Sequence, residues 1–308
     1  MTSTSPVVGR AAALAALALV FNALVWGTSW WPFRWLQAAG LHPLWATALI
    51  YTLASTLIFA VRPRALGQVL RTPALWLLVA AAGTTNAAFN WGVVIGDVVR
   101  VVLLFYLMPL WTVLLARLLL GERFTAAAAL RTVLALVGAA IVLWPEASSA
   151  DVGLAHQLPV PRSLADWLGL VGGFSFALNN VMLRREAARP EEGRALAMFL
   201  GGAIVAAAVA VVLAANGEVG WPGPAAAGWL LPVAGLTVFF LAGNLALQYG
   251  AARLAANRTS VVMLTEVVFA SASAIAFGGG TLTARVAIGG GLIVASALLA
   301  ALAPAEQH

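Results

Sequence analysis

A block of about seventy residues occurs twice in this chain, 158 positions apart. Asn86 returns as Asn244, Asn90 as Gln248, Trp91 as Tyr249, Gly92 as Gly250 and Arg100 as Arg258, and the pair Phe124-Thr125 returns as Leu282-Thr283. No gap is needed between about residue 74 and about residue 142. Both copies are strongly apolar. A duplicated set of hydrophobic helices is the hallmark of secondary transporters, in which the substrate site lies where the two repeats meet.

The apolar excess is too large for a water-soluble core. Of 308 residues, 62% are hydrophobic and only 9% charged, against about 25% charged in soluble domains. Lipid must therefore be the solvent. The chain has no lysine, and its 17 cations are all arginine, scattered singly or in pairs between apolar runs. That scatter fits topology signals and not a phosphate-binding stripe, so we expect no nucleic-acid partner. The absence of cysteine excludes disulfides and thiolate chemistry. The apolar run from Ala11 to Trp26 mimics a secretion signal, but no small-x-small cleavage pattern follows it, so it reads as a retained first span.

About 20 apolar residues are needed to cross a bilayer as a helix. Ten segments qualify, at roughly 11–31, 43–61, 74–95, 98–120, 126–144, 164–184, 195–215, 225–250, 255–277 and 283–303. The expected fold is an all-α integral membrane protein of ten transmembrane helices, arranged as two inverted five-helix repeats around a central cavity. Residues 1–150 form the first repeat, 151–163 an extracytoplasmic linker and 164–308 the second repeat. With the N-terminus in the cytoplasm, 13 arginines fall inside and four (Arg34, Arg100, Arg162 and Arg285) fall outside. This positive-inside bias places both termini in the cytoplasm of a multi-pass chain in a bacterial inner membrane. An odd number of spans per repeat turns the second copy upside down, giving a pseudo-two-fold axis in the membrane plane.

Polar side chains within the spans mark candidate sites. Asn86 and Asn90 share a face of the third span, and Asn244 and Gln248 share the matching face of the eighth. Such amides need a partner, water or ligand. They serve either as interhelical glue or as cavity lining, and the symmetric placement of the set favours lining. Glu266 lies near the middle of the ninth span. An ionisable group at that depth is a functional hypothesis, here a proton carrier or the seat of a substrate ammonium, with a packed, hydrogen-bonded carboxyl as the alternative. Asn179 and Asn180 approach the inner mouth of the sixth span, and Asn180 is taken as cavity-facing. Asn22 and Trp26 share a face of the first span, and Trp26 lies too deep for an interfacial belt. Trp91, Phe105, Tyr106 and Trp111 offer aromatic walls, and Met263 joins the lining. Packing or lipid contact is the competing reading for each. Arg100 and Arg258 begin the fourth and ninth spans. One of them could pair with Asp97 or meet a carboxylate bidentately, but snorkelling to the interface is the expected state. Pro109 should kink the fourth span and Pro232 the eighth.

Several chemistries are missing. There is no P-loop, so ATP does not drive this chain directly. No HExxH pair or GxSxG elbow occurs. The three histidines lie outside the spans. We expect neither an enzyme nor a metal or cofactor site.

The segments ALVWGTSWWPFR and LLFYLMPLWTVLLARLLLGERFTAAAALRTVLALVGAAIVL resemble the ten-helix, EamA-type branch of the drug/metabolite transporter superfamily. The family pattern has a Trp-Gly at the end of the first helix, matched by Trp26-Gly27. It has a Glu-Pro in the fourth, where Met108 replaces the acid before Pro109, and then Gly-Glu-Arg, intact as Gly121-Glu122-Arg123. The second copy keeps the acid as Glu266, while Val267 replaces the proline. Within the family the chain looks most like bacterial aromatic amino acid exporters of the YddG type. That likeness implies a basket with spans 1, 3, 4, 6, 8 and 9 around a cavity. It also implies export of aromatic and other neutral amino acids by alternating access, from a monomer whose partners are small-molecule substrate and lipid. A multidrug or organic-cation exporter coupled to protons through Glu266 is the alternative.

Overall fold

A computed structural model describes residues 6–121, 126–144, 160–223, 226–251, 253, 262–263 and 265–302. Their regular structure is helical, without a strand among the described residues. The helices are α1 (Pro6–Thr28), α2 (Trp30–Ala38), α3 (Pro43–Val61), α4 (Arg64–Arg71), α5 (Pro73–Ile95), α6 (Val98–Phe105), α7 (Met108–Leu120) and α8 (Ala126–Leu143). They continue with α9 (Leu164–Arg185), α10 (Glu191–Ala215), α11 (Leu230–Ala251), α12 (Thr265–Ala276) and α13 (Ala284–Leu302). Among the described residues, six stretches are long and apolar enough to cross a bilayer, namely Ala13–Ala38, Pro43–Val61, Pro73–Ile95, Val98–Leu119, Glu191–Ala215 and Leu230–Leu247. Three shorter apolar helices accompany them. The chain is thus a multi-pass membrane protein, and large apolar side chains such as Leu118, Val61 and Leu231 stand exposed on its flanks. Helix α9 is long but more polar, with Asp166, Asn179, Asn180, Arg184 and Arg185.

Helix boundaries follow local chemistry. Pro43 and Pro73 sit in the first turns of α3 and α5, where no N–H is required. Ser163 and Asp166 close a reciprocal capping box on α9. The expected single helix over 98–120 is instead two. The chain turns at Tyr106 and Leu107, and Pro109 lies in the first turn of α7. A proline has no N–H to give the carbonyl four residues back, so here it ends one helix and starts the next instead of kinking a continuous one. Pro232 likewise falls in the first turn of α11, where its missing N–H is not required. Gly121 ends α7 in the left-handed conformation with φ 72°. Glu122 and Arg123 lie outside the described residues, as do 145–159 of the linker region and Arg258.

A shift of 158 positions carries α1, α5, α7 and α8 onto α9, α11, α12 and α13, with boundaries agreeing to within two residues. The packing follows the same exchange. Helix α5 lies along α9 as α11 lies along α1, α7 packs on α9 as α12 packs on α1, and α8 pairs with α13. Glycine sets the closest crossings. A Cβ on Gly83 of α5 would overlap the carbonyl oxygen of Gly201 on α10, and one on Gly138 of α8 would stand 2.6 Å from the Gly289 carbonyl of α13. Small residues at such crossings let backbones meet where lipid supplies no hydrophobic drive. In the Trp26-Gly27 pair, a Cβ on Gly27 would stand 2.8 Å from the Glu266 carbonyl oxygen, so the glycine lets α1 lie against the start of α12.

Candidate functional site

Four of the packed helices leave a cavity of about 110 Å³ between them. Helix α1 contributes Asn22 and Trp26, α5 contributes Ala82, Thr85, Asn86 and Phe89, α9 contributes Phe176 and Asn179, and α11 contributes Phe240, Asn244 and Leu247. Tyr51 of α3, Phe105 of α6, Met198 and Phe199 of α10, Met263 and Glu266 complete the lining. Within each main helix these residues recur at three- and four-residue steps, the spacing of one helical face.

The rings form a continuous wall. Trp26 stacks on Phe240 with centroids 4.8 Å apart, and its edge meets Phe89 at 6.5 Å. Phe89 meets Phe105 at 4.9 Å, and Phe105 meets Phe176 at 5.3 Å. The amides lie among them. Asn22 is fully buried and donates through Nδ2 to the Gly243 carbonyl at 2.9 Å. Asn86 donates to the Ala82 carbonyl at 2.8 Å and accepts from the Tyr51 hydroxyl at 2.6 Å. Asn179 donates to Oδ1 of Asn180 at 3.5 Å. Buried Glu266 accepts at Oε2 from the Tyr106 hydroxyl, 3.2 Å away. Tyr106 occupies the turn between α6 and α7, so the helix break is what aims its hydroxyl at the acid.

Of the residues singled out from sequence, Trp26, Asn86, Asn244, Met263 and Glu266 meet at the cavity, as does the aromatic Phe105. Tyr106 stands one bond behind it. The others point elsewhere. Asn90 is fully buried and donates to Thr47 Oγ1 of α3 at 3.1 Å, so it is interhelical glue. Trp91 packs beside the Leu44–Ala48–Ala206 cluster, with the His42 ring at its edge 5.5 Å away. Trp111 meets Phe174 edge-on at 5.6 Å. Asn180 is exposed, and its neighbour Asn179 takes the cavity position. The cause is the rotation of α9. Gly172 and Gly173 press against Phe105, a Cβ on Gly173 would overlap the Phe105 carbonyl, and this face continues to Phe176 and Asn179. One further residue turns about 100° away. The side chain of Gln248 lies outside the described residues.

Sequence reasoning also passed over Tyr51, Thr85, Phe89, Phe176, Met198, Phe199, Phe240 and Leu247. Phe89 and Phe240 were accessible to it, because they stand one turn from Asn86 and Asn244. Asn22 had been noticed only as a companion of Trp26.

One end of the bundle is tied across the two copies. Arg100 does not snorkel. Its guanidinium grips Asp166 bidentately, at 2.6 and 3.1 Å, and donates to the Val142 carbonyl at 2.8 Å. Asp166 is buried and positioned by α9's capping box, so it offers a fixed, planar match to the guanidinium. Asp97 caps α6 and accepts from the Thr281 N–H at 2.7 Å. Arg34 donates to the carbonyls of Val93, Val94, Gly96 and Gly279.

Comparison with known proteins adds a family to this geometry. The model of the EamA-like transporter family matches residues 13–144. The matched stretch, under half of the chain, contains α2 to α8 and most of α1, and hence Trp26, Asn86 and the α6–α7 break. No curated protein matches the sequence. A solved structure titled only as a crystal structure of a protein aligns with 93% of this chain and 96% of its own, at 21% identity and TM-score 0.54. That likeness covers nearly the whole chain and speaks to fold alone.

Proposed function

We propose that the chain is a secondary transporter that exports small molecules by alternating access between two inverted five-helix repeats, ten spans in all. In this reading the termini face the cytoplasm of a bacterial inner membrane, and the monomer is the working unit. The observation that carries it is the cavity. Asn86 and Asn244 line it as a repeat-related pair from α5 and α11, and Asn22 and Asn179 line it from the repeat-related helices α1 and α9. A cavity shared between repeated helices is where such a carrier binds its substrate.

The substrate we propose is a neutral amino acid with an aromatic or other apolar side chain. The ring wall suits the tail, and the amides and Glu266 suit the polar head. The bonds at the Asp97–Asp166 end would hold that side closed while substrate enters from the other, and they must part for release. Glu266 is the group through which a proton would be coupled.

Counterflow in proteoliposomes tests the reading. Labelled aromatic amino acids should accumulate against unlabelled substrate at equal pH on both sides, and an imposed pH step should then reveal coupling. Movement of lipophilic cations alone would instead support a drug exporter centred on Glu266, and no movement of any metabolite would refute transport.

A further inference from the structure

A second cavity, a groove of about 430 Å³, lies between α3 and α10 and shares no residue with the first. Its walls are α3 from Thr52 to Phe59 and α10 from Leu196 to Ala207, and Leu66 of α4 joins them where α3 gives way to α4. The small side chains of Ala203 and Ala207 leave the space, while Phe59 and Ile204 stand exposed beside it. Leu53 and Leu57 are exposed on the same helix, so this flank of the bundle faces hydrocarbon. The Thr56 hydroxyl turns back to the Thr52 carbonyl at 2.9 Å and asks nothing of an occupant. Eleven helical steps from Leu196 to Ala207 span about 16 Å, and one leaflet of hydrocarbon is about 15 Å deep. The groove therefore has the length of one acyl chain.

Both walls end in charge at the α4 end. Arg62 follows Phe59 by three residues and Glu192 precedes Leu196 by four, so each continues the face of its wall. The two lie within electrostatic reach of each other. Gln68 of α4 donates to Glu192 Oε1 at 3.2 Å, which ties the carboxylate to this end, and a carboxylate has further acceptor sites. Arg64 and Glu191 stand exposed nearby in the chain. Arg194 is turned away, to the Leu183 carbonyl of α9. Two arginines and two glutamates balance. A head group with net charge gains little from that balance, whereas a zwitterion meets both signs.

We infer that the α3–α10 groove is a lipid site, holding one acyl chain of a phospholipid whose head group carries a phosphate and a primary ammonium, with Arg62 and Arg64 on the phosphate and Glu192 on the ammonium. A quaternary head group has the charge but no N–H for Glu192, and a glycerol head group has no cation. The inference asks only for a bilayer, so it stands or falls apart from transport.

Three probes with identical dioleoyl chains separate the head groups, namely phosphatidylethanolamine, phosphatidylcholine and phosphatidylglycerol. Each is titrated into the delipidated full-length protein in detergent, and bound lipid is counted by native mass spectrometry. The ethanolamine lipid should bind about three- to tenfold more tightly than either other, the worth of one partly exposed charge-assisted bond. Glu192→Gln, a surface change of equal size, should erase that preference and turn it toward the glycerol lipid, because Arg62 then lacks its counter-charge. Arg62→Gln with Arg64→Gln should weaken all three lipids. Ala207→Phe should fill the groove and release lipid of every head group; the charge variants keep the test decisive if it fails to fold. Equal binding of the three lipids by the wild type would overturn the inference. So would an ethanolamine preference that survives Glu192→Gln, a preference of the wild type for the glycerol lipid, or a groove covered by a second copy, seen as a dimer that takes up no lipid.

Discussion

Removing the Arg100 side chain beyond its methylenes, as in Arg100→Met, strands Asp166. That carboxylate is only 4% exposed. It would keep the N–H groups of Arg162 and Ser163, at 3.1 and 3.3 Å, but lose two charge-assisted bonds. Breaking a buried pair by deleting one partner costs about 3–5 kcal/mol. The two backbone donors that remain point to the lower figure, about 3 kcal/mol. Asp166→Asn is milder. Arg100 is 28% exposed and can take water, and asparagine still caps α9, so about 1–2 kcal/mol is expected. The double variant should cost little more than Arg100→Met alone, because no charge is left unpaired. The coupling between the two positions is then of order 1–2 kcal/mol. Reversible unfolding in mixed micelles of a mild detergent and sodium dodecyl sulfate would measure all four corners of the cycle. Costs that add to within about 0.5 kcal/mol would refute the bidentate clamp, since independent sites add that closely.

Gly83→Val or Gly201→Val should abolish monodisperse protein on size exclusion, because each pushes a branched side chain into a facing backbone; a well-behaved peak would show that α5 and α10 do not touch there. Asn86→Leu and Asn244→Leu should each stop counterflow while leaving the folded yield intact, and unchanged exchange rates would remove these residues from the transport site. His42 caps α3 by accepting the Leu44 N–H at Nδ1, and burial holds its pKa below the ordinary value. The unfolded imidazole therefore binds its proton first. The stabilising contribution is complete above about pH 6.5 and fades as pH falls toward the lower folded value. Thermal unfolding across this window should show an acid loss in the wild type that His42→Asn, which caps without titrating, lacks. Parallel profiles would show that the imidazole does not matter.

Much of the site was legible because it rested on periodicity and on the repeat. Apolar length located the helices, and the 158-residue shift paired Asn86 with Asn244. Depth alone marked Trp26 and Glu266. The failures share one cause, which is rotation set by tertiary contact. Asn90 stands four residues from Asn86, yet α3 crosses at that level and Thr47 claims its amide. Asn180 is the residue the repeat matches to Asn22, but glycines packed on Phe105 turn α9 by one position. Asp97 was the near carboxylate, but it accepts only the backbone N–H of Arg100, whose side chain pairs with Asp166, 66 residues away in the other copy. No local pattern announces a partner that distant.

The seam at Gly83 and Gly201 bears on what can move. It joins α5 of the first copy to α10 of the second, while Asn22 binds α1 to Gly243 of α11 across the same divide. The two stretches related by the 158-residue shift are therefore not separate packing units. The packed blocks are chimeras of the two, one carrying α3, α5, α9 and α10 and another carrying α1, α11 and α12. Either half made alone would expose seams meant for its sibling, and two separately produced halves should recover a working protein only by wrapping around each other.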